Sequence, residues 1–489
     1  MGFSDTRCFW LMVGGLLALR ATLMVMPLTD PSEARYAVMA ANMAERGDFL
    51  KPMFIHHGVF QSFDGKPPLF FQMGGVACAT LGRSEFAVRL PSMLAAVAVL
   101  GMLFYTVRRL AGDRAAKAAV LICMSSGMFF LYSGLCVTDM LLTLCTTGAV
   151  CAHMLFFGAA GWRWERKAFS VLLFAFLGLG MITKGPVALV LAGLPMFAHV
   201  CAGRWWRELA GHAWMAGGAV FLTIALPWYV MMTLKNPDFL EYFFVNENFK
   251  RFVTPDYGDR YGSGRETFRG MALVWFWVAN LPFLPAALVP LLRGRGLRGM
   301  LERRTVLAVP LLGCACMTGF WCLTSRVPMA YLLPTVPLAS AFLAVALDAR
   351  GMLERGWVAR ALKVGAPVSC GLVLLGLAAA GLGDRWTDKL PRRMYREVRR
   401  IQAEAPLEYA GTGFYFARRT PYSAEFYLGD ALRNHAPEDV AESVERSGDD
   451  FLLVSRRYRV RMEAQPGRDT VFSNAQWTVF APSQRRVEK

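Results

Sequence analysis

Long apolar runs constrain this chain more than any other feature of its sequence. A bilayer core of about 30 Å needs roughly 20 apolar residues per helix. Hydrophobic types make up 55% of the 489 residues and charged types only 18%, which is less charge than a soluble domain carries. We therefore predict an all-α polytopic membrane protein with about 11 spans. The predicted spans are 8–28, 88–108, 115–133, 139–158, 168–184, 186–202, 213–232, 271–292, 304–323, 329–347 and 362–382.

The distribution of basic residues predicts which loops face the cytoplasm. Arg and Lys collect in five loops, which all lie on the cytoplasmic side if the N-terminus is inside and the short apolar stretch 68–82 only dips into one leaflet. Three polar segments then face outward. They are a first outer loop at 29–67, a second outer loop at 235–269 and the tail 384–489.

The tail has the pattern of a small soluble domain. Apolar and polar residues alternate in FLLVS (451–455) and in WTVFA (477–481), as in half-buried strands. A helical pattern over 392–405 precedes them. We predict a membrane domain over 1–383 and an outer α/β domain over 384–489, whose size is sufficient for a core of its own.

Charge and cysteine usage exclude two classes of function. The net charge is +17, but the basic residues lie at the ends of apolar runs, where cytoplasmic loops need them. We therefore predict no nucleic-acid partner and expect membrane lipids instead. The 11 cysteines lie in or beside apolar segments without metal-ligand spacing, so we predict neither a metal site nor a disulfide framework.

The first outer loop is the part of the sequence richest in chemistry. It contains TDPSEARYA at 29–37 and FDGKPPLF at 63–70, with acids and bases directly beyond a predicted span. Ionisable groups at membrane depth are costly and are usually kept for function. A structural role is the alternative, because Asp30 and Ser32 also suit the first turn of a helix, where their oxygens accept bonds from free N–H groups.

An ordered set of motifs resembles bacterial GT-C glycosyltransferases, including the aminoarabinose (lipid A) transferases and the wider protein-mannosyltransferase-like group. The resemblance covers roughly residues 8–345 and depends on the order of the motifs more than on any single one. After the two loop motifs come EFAVRLPSMLA (85–95), RRLAGDRAAKAA (108–119), VTDM (137–140), MITKGP (181–186), LPWYV (226–230), NPDFLEYFFVNENFKRF (236–252) and SRVPMAYLLPTVPLA (325–339).

The resemblance implies a GT-C fold and an inverting transfer of a sugar from a polyprenyl-phosphate donor. The leaving phosphate needs fixed cations, and the acceptor needs a carboxylate base. The candidate catalytic acids are Asp30, Glu33 and Asp139. The candidate phosphate ligands are Arg35, Lys66, Arg251 and Arg265, and the candidate substrate-binding residues are Tyr36, Asp64, Lys184, Arg326 and Tyr331.

The chain departs from the aminoarabinose transferases at several of these positions. Ser32 replaces an Asp before Glu33, so the base is either Asp30 or Glu33. Gly65 replaces a Glu before the Lys-Pro pair, and Asn248 replaces a His after Glu247. A metal that bridged those two positions would lose both ligands, so we predict no divalent metal and no other cofactor.

The expected location is the bacterial inner membrane, with the active site and the tail on the periplasmic side. Lipid A or another lipopolysaccharide is the expected acceptor. A protein O-glycosyltransferase and a transporter of polyprenyl lipids or polysaccharides are the alternatives. A transporter would tend to show repeated halves and interrupted helices, and the sequence has no such symmetry.

Overall fold

The structure is a computed structural model in two compact units. The first unit comprises Met1–Met24, Asp64–Met73 and Arg89–Leu374, and the second comprises Val25–Phe63, Gly74–Val88 and Leu375–Lys489. The residues that the structure describes are 6–56, 59–158, 163–254, 260–261, 266–285, 305–382, 414–416, 421–429, 451–455, 470–473 and 477–480.

Helices dominate the described residues, which confirms the predicted all-α architecture. A π-helix, Glu241–Lys250, precedes α12, and a 3-10 turn at Met329–Leu332 precedes α15. The helices in chain order are α1 (Thr6–Thr22), α2 (Ser32–Arg46), α3 (Leu69–Leu81), α4 (Glu85–Ala111), α5 (Asp113–Ser125), α6 (Gly127–Tyr132), α7 (Asp139–Gly158), α8 (Arg163–Lys184), α9 (Pro186–Gly203), α10 (Trp206–Ala210), α11 (Trp214–Lys235), α12 (Arg251–Val253), α13 (Met271–Ala279), α14 (Val309–Cys322), α15 (Thr335–Asp348), α16 (Gly356–Leu382) and α17 (Tyr422–Leu428).

Seven described helices are long and apolar enough to cross a membrane. They correspond to α1, α4, α7, α8, α9, α11 and α16. The predicted span 115–133 is instead two helices, α5 and α6, because the Ser126 hydroxyl accepts a hydrogen bond from Phe129 N at 3.1 Å and starts a new helix. The helices α14 and α15 are shorter than predicted, and 271–292 is described only to residue 285. The count of 11 spans stays a prediction.

The first unit has a helix that is buried on every side. All residues of α15 except Asp348 are buried, as expected for a helix that is apolar around its whole circumference. It packs against α5 and α14, while α8 packs against α7 and α11. Large apolar side chains elsewhere face outward, for example Phe197 at 60% and Leu234 at 79% exposure. Contiguous exposed apolar surface of this kind indicates contact with lipid.

The second unit combines α2, two small sheets and α17. Strands β1 (Met53–His56) and β2 (Val59–Ser62) form an antiparallel hairpin. The other sheet has the order β3-β4-β6-β5, and its parallel β3–β4 pair is connected through a stretch that contains α17. The strands of this sheet are β3 (Phe414–Phe416), β4 (Phe451–Ser455), β5 (Thr470–Ser473) and β6 (Trp477–Phe480).

The strands predicted at 451–455 and 477–481 are confirmed as β4 and β6. The helix predicted at 392–405 lies outside the described residues. The stretch predicted to dip into one leaflet is the 13-residue helix α3, while its depth in the bilayer stays a prediction. The domain boundary at 383/384 also stays a prediction.

Candidate active site

The first unit contains a cavity of about 370 Å³ with a strongly basic wall. Four cationic side chains line it, and Glu247 is the one carboxylate among the described lining residues. The remaining wall is mostly apolar or aromatic, so the cavity can hold an anionic group beside a hydrocarbon chain. The cations are Lys66, Lys184, Arg251 and Arg326, and the apolar and aromatic residues are Pro186, Val187, Val190, Phe244, Phe249, Phe252, Phe320, Trp321 and Tyr331.

Lys66 reaches the cavity from the loop that precedes α3. The two prolines that follow it, Pro67 and Pro68, cannot donate backbone hydrogen bonds and restrict the backbone directly before α3 begins. Burial is the main cause that lowers the pKa of Lys66, and the neighbouring Arg251 lowers it further, while Tyr331 and Glu247 act in the opposite direction. A cation that is disfavoured in this way gains from the arrival of an anion.

Lys184 is held at the cavity by Asp139. Its Nζ donates to Asp139 Oδ1 at 2.6 Å, and the two side chains are only 6% and 12% exposed. The same Nζ lies 4.2 Å from the centroid of the Tyr331 ring, a distance typical of a cation–π contact. Asp139 is not among the described residues that line the cavity. It is connected to the cavity through its ion pair with Lys184.

Gly185 sets the direction of the turn that carries Lys184. Its φ of +80° lies in a region that L side chains rarely adopt, and a Cβ there would come within 2.6 Å of the Phe243 ring. Pro186 then occupies the first turn of α9, where its missing N–H costs nothing. The Thr-Lys-Gly-Pro sequence is therefore explained by backbone geometry that places Lys184 next to the π-helix.

Arg251 is the residue that caps the C-terminal end of the π-helix, and it pairs with Glu247 four residues earlier. The Arg251 guanidinium donates to Glu247 Oε1, and the Glu247 side chain is 9% exposed. Asn248 is turned to the backbone, because its Nδ2 donates to Phe243 O at 2.7 Å. A π-helix is rare and is frequently found at functional sites. Here it presents Glu247 and Arg251 to the same cavity.

Arg326 and Tyr331 reach the cavity from the segment between α14 and α15. Arg326 is 8% exposed, and its Nη2 donates to Glu266 Oε1 at 2.8 Å. The Tyr331 ring packs against Trp321 with a centroid distance of 4.4 Å. The two aromatic rings and Lys184 thus form one continuous part of the wall.

Asp64 precedes Lys66 but does not line the cavity, as far as the described residues go. It is 5% exposed. Its carboxylate accepts from Asn236 Nδ2 at 3.3 Å and lies 3.8 Å from Arg260 Nη1. Its N–H donates to the Tyr261 hydroxyl at 3.0 Å, and burial raises the pKa of Tyr261 to about 12. Asp64 therefore anchors the loop that carries Lys66.

The two acids of the first loop belong to the second unit and differ in exposure. Glu33 is 4% exposed, and its Oε2 accepts from Thr29 N at 3.0 Å and from Thr29 Oγ1 at 2.8 Å. Asp30 is exposed, and its two carboxylate oxygens accept from the N–H and the hydroxyl of Ser423. Glu33 therefore holds Thr29 against the first turn of α2, whereas Asp30 is accessible from solvent.

Arg35 and Tyr36 are packed among aromatic rings in the second unit. The Arg35 guanidinium carbon lies 5.3 Å from the Phe63 ring centroid and 5.7 Å from each of the Tyr36 and Tyr422 centroids. Tyr36 is 6% exposed. These contacts give both residues a structural role in holding the first loop.

Five of the residues predicted from the sequence line the cavity, namely Lys66, Lys184, Arg251, Arg326 and Tyr331. Arg265 lies outside the described residues. The sequence-based prediction missed three residues that take part in this geometry: Glu247, Trp321 and Tyr261. For Glu247, the i, i+4 spacing to Arg251 was a signal in the sequence.

Among the described residues, no group of three or more His, Cys, Asp or Glu side chains is placed to hold a metal ion.

Comparison with solved structures decides the fold. The chain is similar over 98% of its length, and over 98% of that chain, to ArnT from Cupriavidus metallidurans bound to undecaprenyl phosphate, with a TM-score of 0.76 and 18% identity. The chain has the GT-C fold. The apo oligosaccharyltransferase of Archaeoglobus fulgidus is a more distant GT-C neighbour, with a TM-score of 0.53 and 13% identity over 99% of this chain and 76% of that chain.

Sequence comparisons agree with the GT-C fold and with the resemblance found in the motifs. Residues 65–231 match the family model of dolichyl-phosphate-mannose-protein mannosyltransferases. An undecaprenyl phosphate-alpha-4-amino-4-deoxy-L-arabinose arabinosyl transferase of Edwardsiella ictaluri is 32% identical over 46% of this chain and 40% of its own length. The same-named protein of Yersinia pestis is 26% identical over 72% of this chain. The chain thus spans 40% and 60% of the length of these two relatives.

Proposed function

We propose that the chain is an inverting glycosyltransferase that moves a sugar from an undecaprenyl-phosphate donor to lipid A or another lipopolysaccharide acceptor. The observation that carries the proposal is the cavity in which Lys66, Lys184, Arg251 and Arg326 adjoin an aromatic and aliphatic wall. A polyprenyl-phosphate donor has the matching chemistry, since it joins an anionic phosphate to a hydrocarbon chain. The names of the sequence relatives support the same kind of donor.

The cations of the cavity act on the leaving group. When the acceptor oxygen forms a bond to the anomeric carbon, the bond from that carbon to the phosphate oxygen breaks and negative charge grows on the phosphate. Arg251 binds such a group through its planar fork, while Lys66 acts as a point charge. Preorganised charges of this kind stabilise the transition state because they need no reorganisation during the reaction.

Asp30 is the base in this proposal. An acceptor hydroxyl must lose its proton as it attacks, and a carboxylate within hydrogen-bond reach can take it. Asp30 is exposed, whereas Glu33 is 4% exposed and holds Thr29 through two hydrogen bonds. We therefore assign the proton transfer to Asp30 and the helix start to Glu33. Asp139 keeps Lys184 in place.

The proposed location is the inner membrane, with the active site on its periplasmic side. The chain is a multi-pass membrane protein, and the five basic loops support an outer position of the first loop by the positive-inside rule. Single cysteines introduced at exposed positions of that loop, such as Asp48, test the side. Labelling by a membrane-impermeant maleimide in intact spheroplasts is expected, and labelling only after lysis would contradict the assignment.

Transfer in proteoliposomes tests the activity. Purified protein is mixed with radiolabelled undecaprenyl-phosphate 4-amino-4-deoxy-L-arabinose or undecaprenyl-phosphate mannose, and with lipid A or solubilised membrane protein as acceptor. We expect the unmodified protein and Lys235→Ala to label lipid A and Lys66→Ala to leave it unlabelled. Lys235 is a suitable control because it is exposed and is not among the described residues that line the cavity. If neither lipid A nor membrane protein became labelled with either donor, the proposal would be contradicted.

A protein acceptor is the second candidate, and the family match at residues 65–231 favours it. The name of that family describes enzymes that transfer mannose to protein. In the same assay, label on polypeptide and none on lipid A would select this candidate over the first.

A further inference from the structure

The helix α17 is tied to the first loop by polar contacts along its length, all within the second unit. Glu425 is 6% exposed, and its carboxylate accepts from Asn42 Nδ2 and from Ile55 N, each at 3.0 Å. The Tyr427 hydroxyl accepts from Leu28 N at 2.9 Å. Tyr422 packs against Phe54 with a centroid distance of 5.8 Å. These contacts join a helix near the end of the chain to the loop that carries Asp30.

One of these contacts falls on the carboxylate of Asp30 itself. Ser423 N donates to Oδ1 at 3.1 Å, and Ser423 Oγ donates to Oδ2. Ser423 is 0% exposed, whereas Asp30 is exposed. Two donors from one buried residue restrain both the position and the rotation of this exposed carboxylate. Each carboxylate oxygen has a second lone pair, so Asp30 can still accept a proton from a substrate.

We propose that Ser423 is a positioning residue, which orients the Asp30 carboxylate for proton transfer. The inference rests on the proposed role of Asp30 as the base. It gives α17 a part in the reaction, because both donors to the Asp30 carboxylate belong to Ser423 of this helix. Misplacement of a reacting group by about 1 Å costs on the order of 100-fold in rate, so a loss of one of the two donors is expected to be measurable.

The hydroxyl of Ser423 also favours the charged form of Asp30. A hydrogen bond to a carboxylate stabilises its ionised state, and the ionised state is the one that accepts a proton. Removal of the hydroxyl therefore moves the fall in transfer rate on the acidic side to a higher pH. A purely structural contact would alter the stability of the protein without moving this limb of the pH profile.

The experiment compares Ser423→Ala with Tyr427→Phe in the full-length protein. Both variants remove one hydroxyl from α17, but the Tyr427 hydroxyl bonds to Leu28 N and the Glu85 carboxylate, whereas the Ser423 hydroxyl bonds to the Asp30 carboxylate. Ser423→Ala is expected to lower kcat by roughly 10- to 100-fold, to leave KM for the acceptor within about twofold, and to move the acidic limb upward by about one pH unit. Tyr427→Phe is expected to lower the thermal midpoint and leave the acidic limb in place.

Conservative variants keep the test decisive if Ser423→Ala folds poorly. Ser423→Thr retains the hydroxyl and is expected to restore most of kcat and the original pH profile. Ser423→Cys offers a weaker donor and is expected to shift the acidic limb in the same direction as Ser423→Ala. An unchanged pH profile in Ser423→Ala or Ser423→Cys would overturn the inference, and so would an equal shift in Tyr427→Phe.

Asp30→Asn separates this inference from the proposed function. If Asp30→Asn abolishes transfer while Ser423→Ala keeps the rate and pH profile of the unmodified protein, the positioning role is wrong and the base assignment stands. If Asp30→Asn transfers at the unmodified rate, the assignment of the base is itself wrong.

Discussion

The cavity of the first unit and the Asp30 loop of the second unit handle charge in opposite ways. In the cavity, three of the four lining cations are paired with carboxylates, Lys184 with Asp139, Arg251 with Glu247 and Arg326 with Glu266. Burial lowers the pKa of the fourth cation, Lys66. In the loop, Asp30 and Glu33 each receive two hydrogen bonds from neutral donors. The cavity therefore holds positive charge that an incoming anion stabilises, whereas the loop holds negative charge that the protein already stabilises.

This difference matches the two halves of a glycosyl transfer. A leaving phosphate gains negative charge during the reaction, so an excess of cations is useful where it binds. A base must be ionised before the reaction begins, so its charge must be stable in the resting protein. The following variants test whether the two regions have these separate roles.

The largest effect is expected from Asp30→Asn. The amide keeps the shape of the side chain but cannot take a proton, so kcat should fall by about 10²- to 10⁴-fold. Single-turnover transfer of labelled sugar measures this loss, and the thermal midpoint serves as the control for folding. A decrease of less than threefold would remove Asp30 from the mechanism.

Lys66→Ala should have the next largest effect. Loss of one preorganised charge at a developing anion typically costs about 10²- to 10³-fold in kcat. The matched control is Lys235→Ala, since Lys235 is exposed at the end of α11. Equal rates for these two variants would contradict the role of Lys66.

The Asp139–Lys184 pair should matter for stability. Both side chains are largely buried, and removal of one partner of a buried ion pair leaves an uncompensated charge at a cost of about 3–5 kcal/mol. Asp139→Leu is therefore expected to unfold at a lower temperature than the double variant Asp139→Leu with Lys184→Met. Identical thermal midpoints for the single and double variants would show that the pair is not coupled.

Sequence patterns predicted the fold better than they predicted the arrangement of the site. Period and composition located most helices and the strands β4 and β6, because burial and lipid exposure leave a local signature in the chain. The role of Glu33 was not predictable, since an acid after a span suits both a base and a helix start. The hydrogen bonds to Thr29 support the role at the helix start, and no pattern in the sequence indicates these bonds.

Residues that act through distant contacts left the weakest signal. Ser423 is 393 positions from Asp30, and no local pattern links the two. The π-helix Glu241–Lys250 has no distinct hydrophobic period in the sequence. The only sequence signal for Glu247 was therefore its i, i+4 spacing to Arg251. Lys66 was predictable because it stands in a short motif beside two prolines.

A smaller effect is expected from pH. Because burial lowers the pKa of Lys66, its ammonium loses its proton at a lower pH than a free lysine does. Donor affinity should therefore fall as the pH rises toward the usual lysine pKa of about 10.4. Lys66→Arg stays charged over this range, so its affinity should decline at a higher pH. A basic limb at the same pH in both proteins would exclude Lys66 as its source.

The smallest effect is expected from Glu33→Gln. Gln keeps an acceptor for Thr29 but loses the charge next to the start of α2, which costs about 0.5–1 kcal/mol of stability. The thermal midpoint should fall slightly while kcat stays within about threefold of the unmodified value, because Asp30 remains. A loss of kcat as large as that of Asp30→Asn would reverse the two assignments.

Binding of undecaprenyl phosphate to the purified protein tests the central claim most directly. Native mass spectrometry across a lipid titration gives the affinity of the unmodified protein, Lys66→Ala, Arg251→Ala and the control Lys235→Ala. The account predicts that Lys66→Ala and Arg251→Ala each bind at least about tenfold more weakly, a loss of roughly 1.4 kcal/mol, while Lys235→Ala binds normally. Equal affinity in all four proteins would contradict the account, because the cavity would then not hold the phosphate.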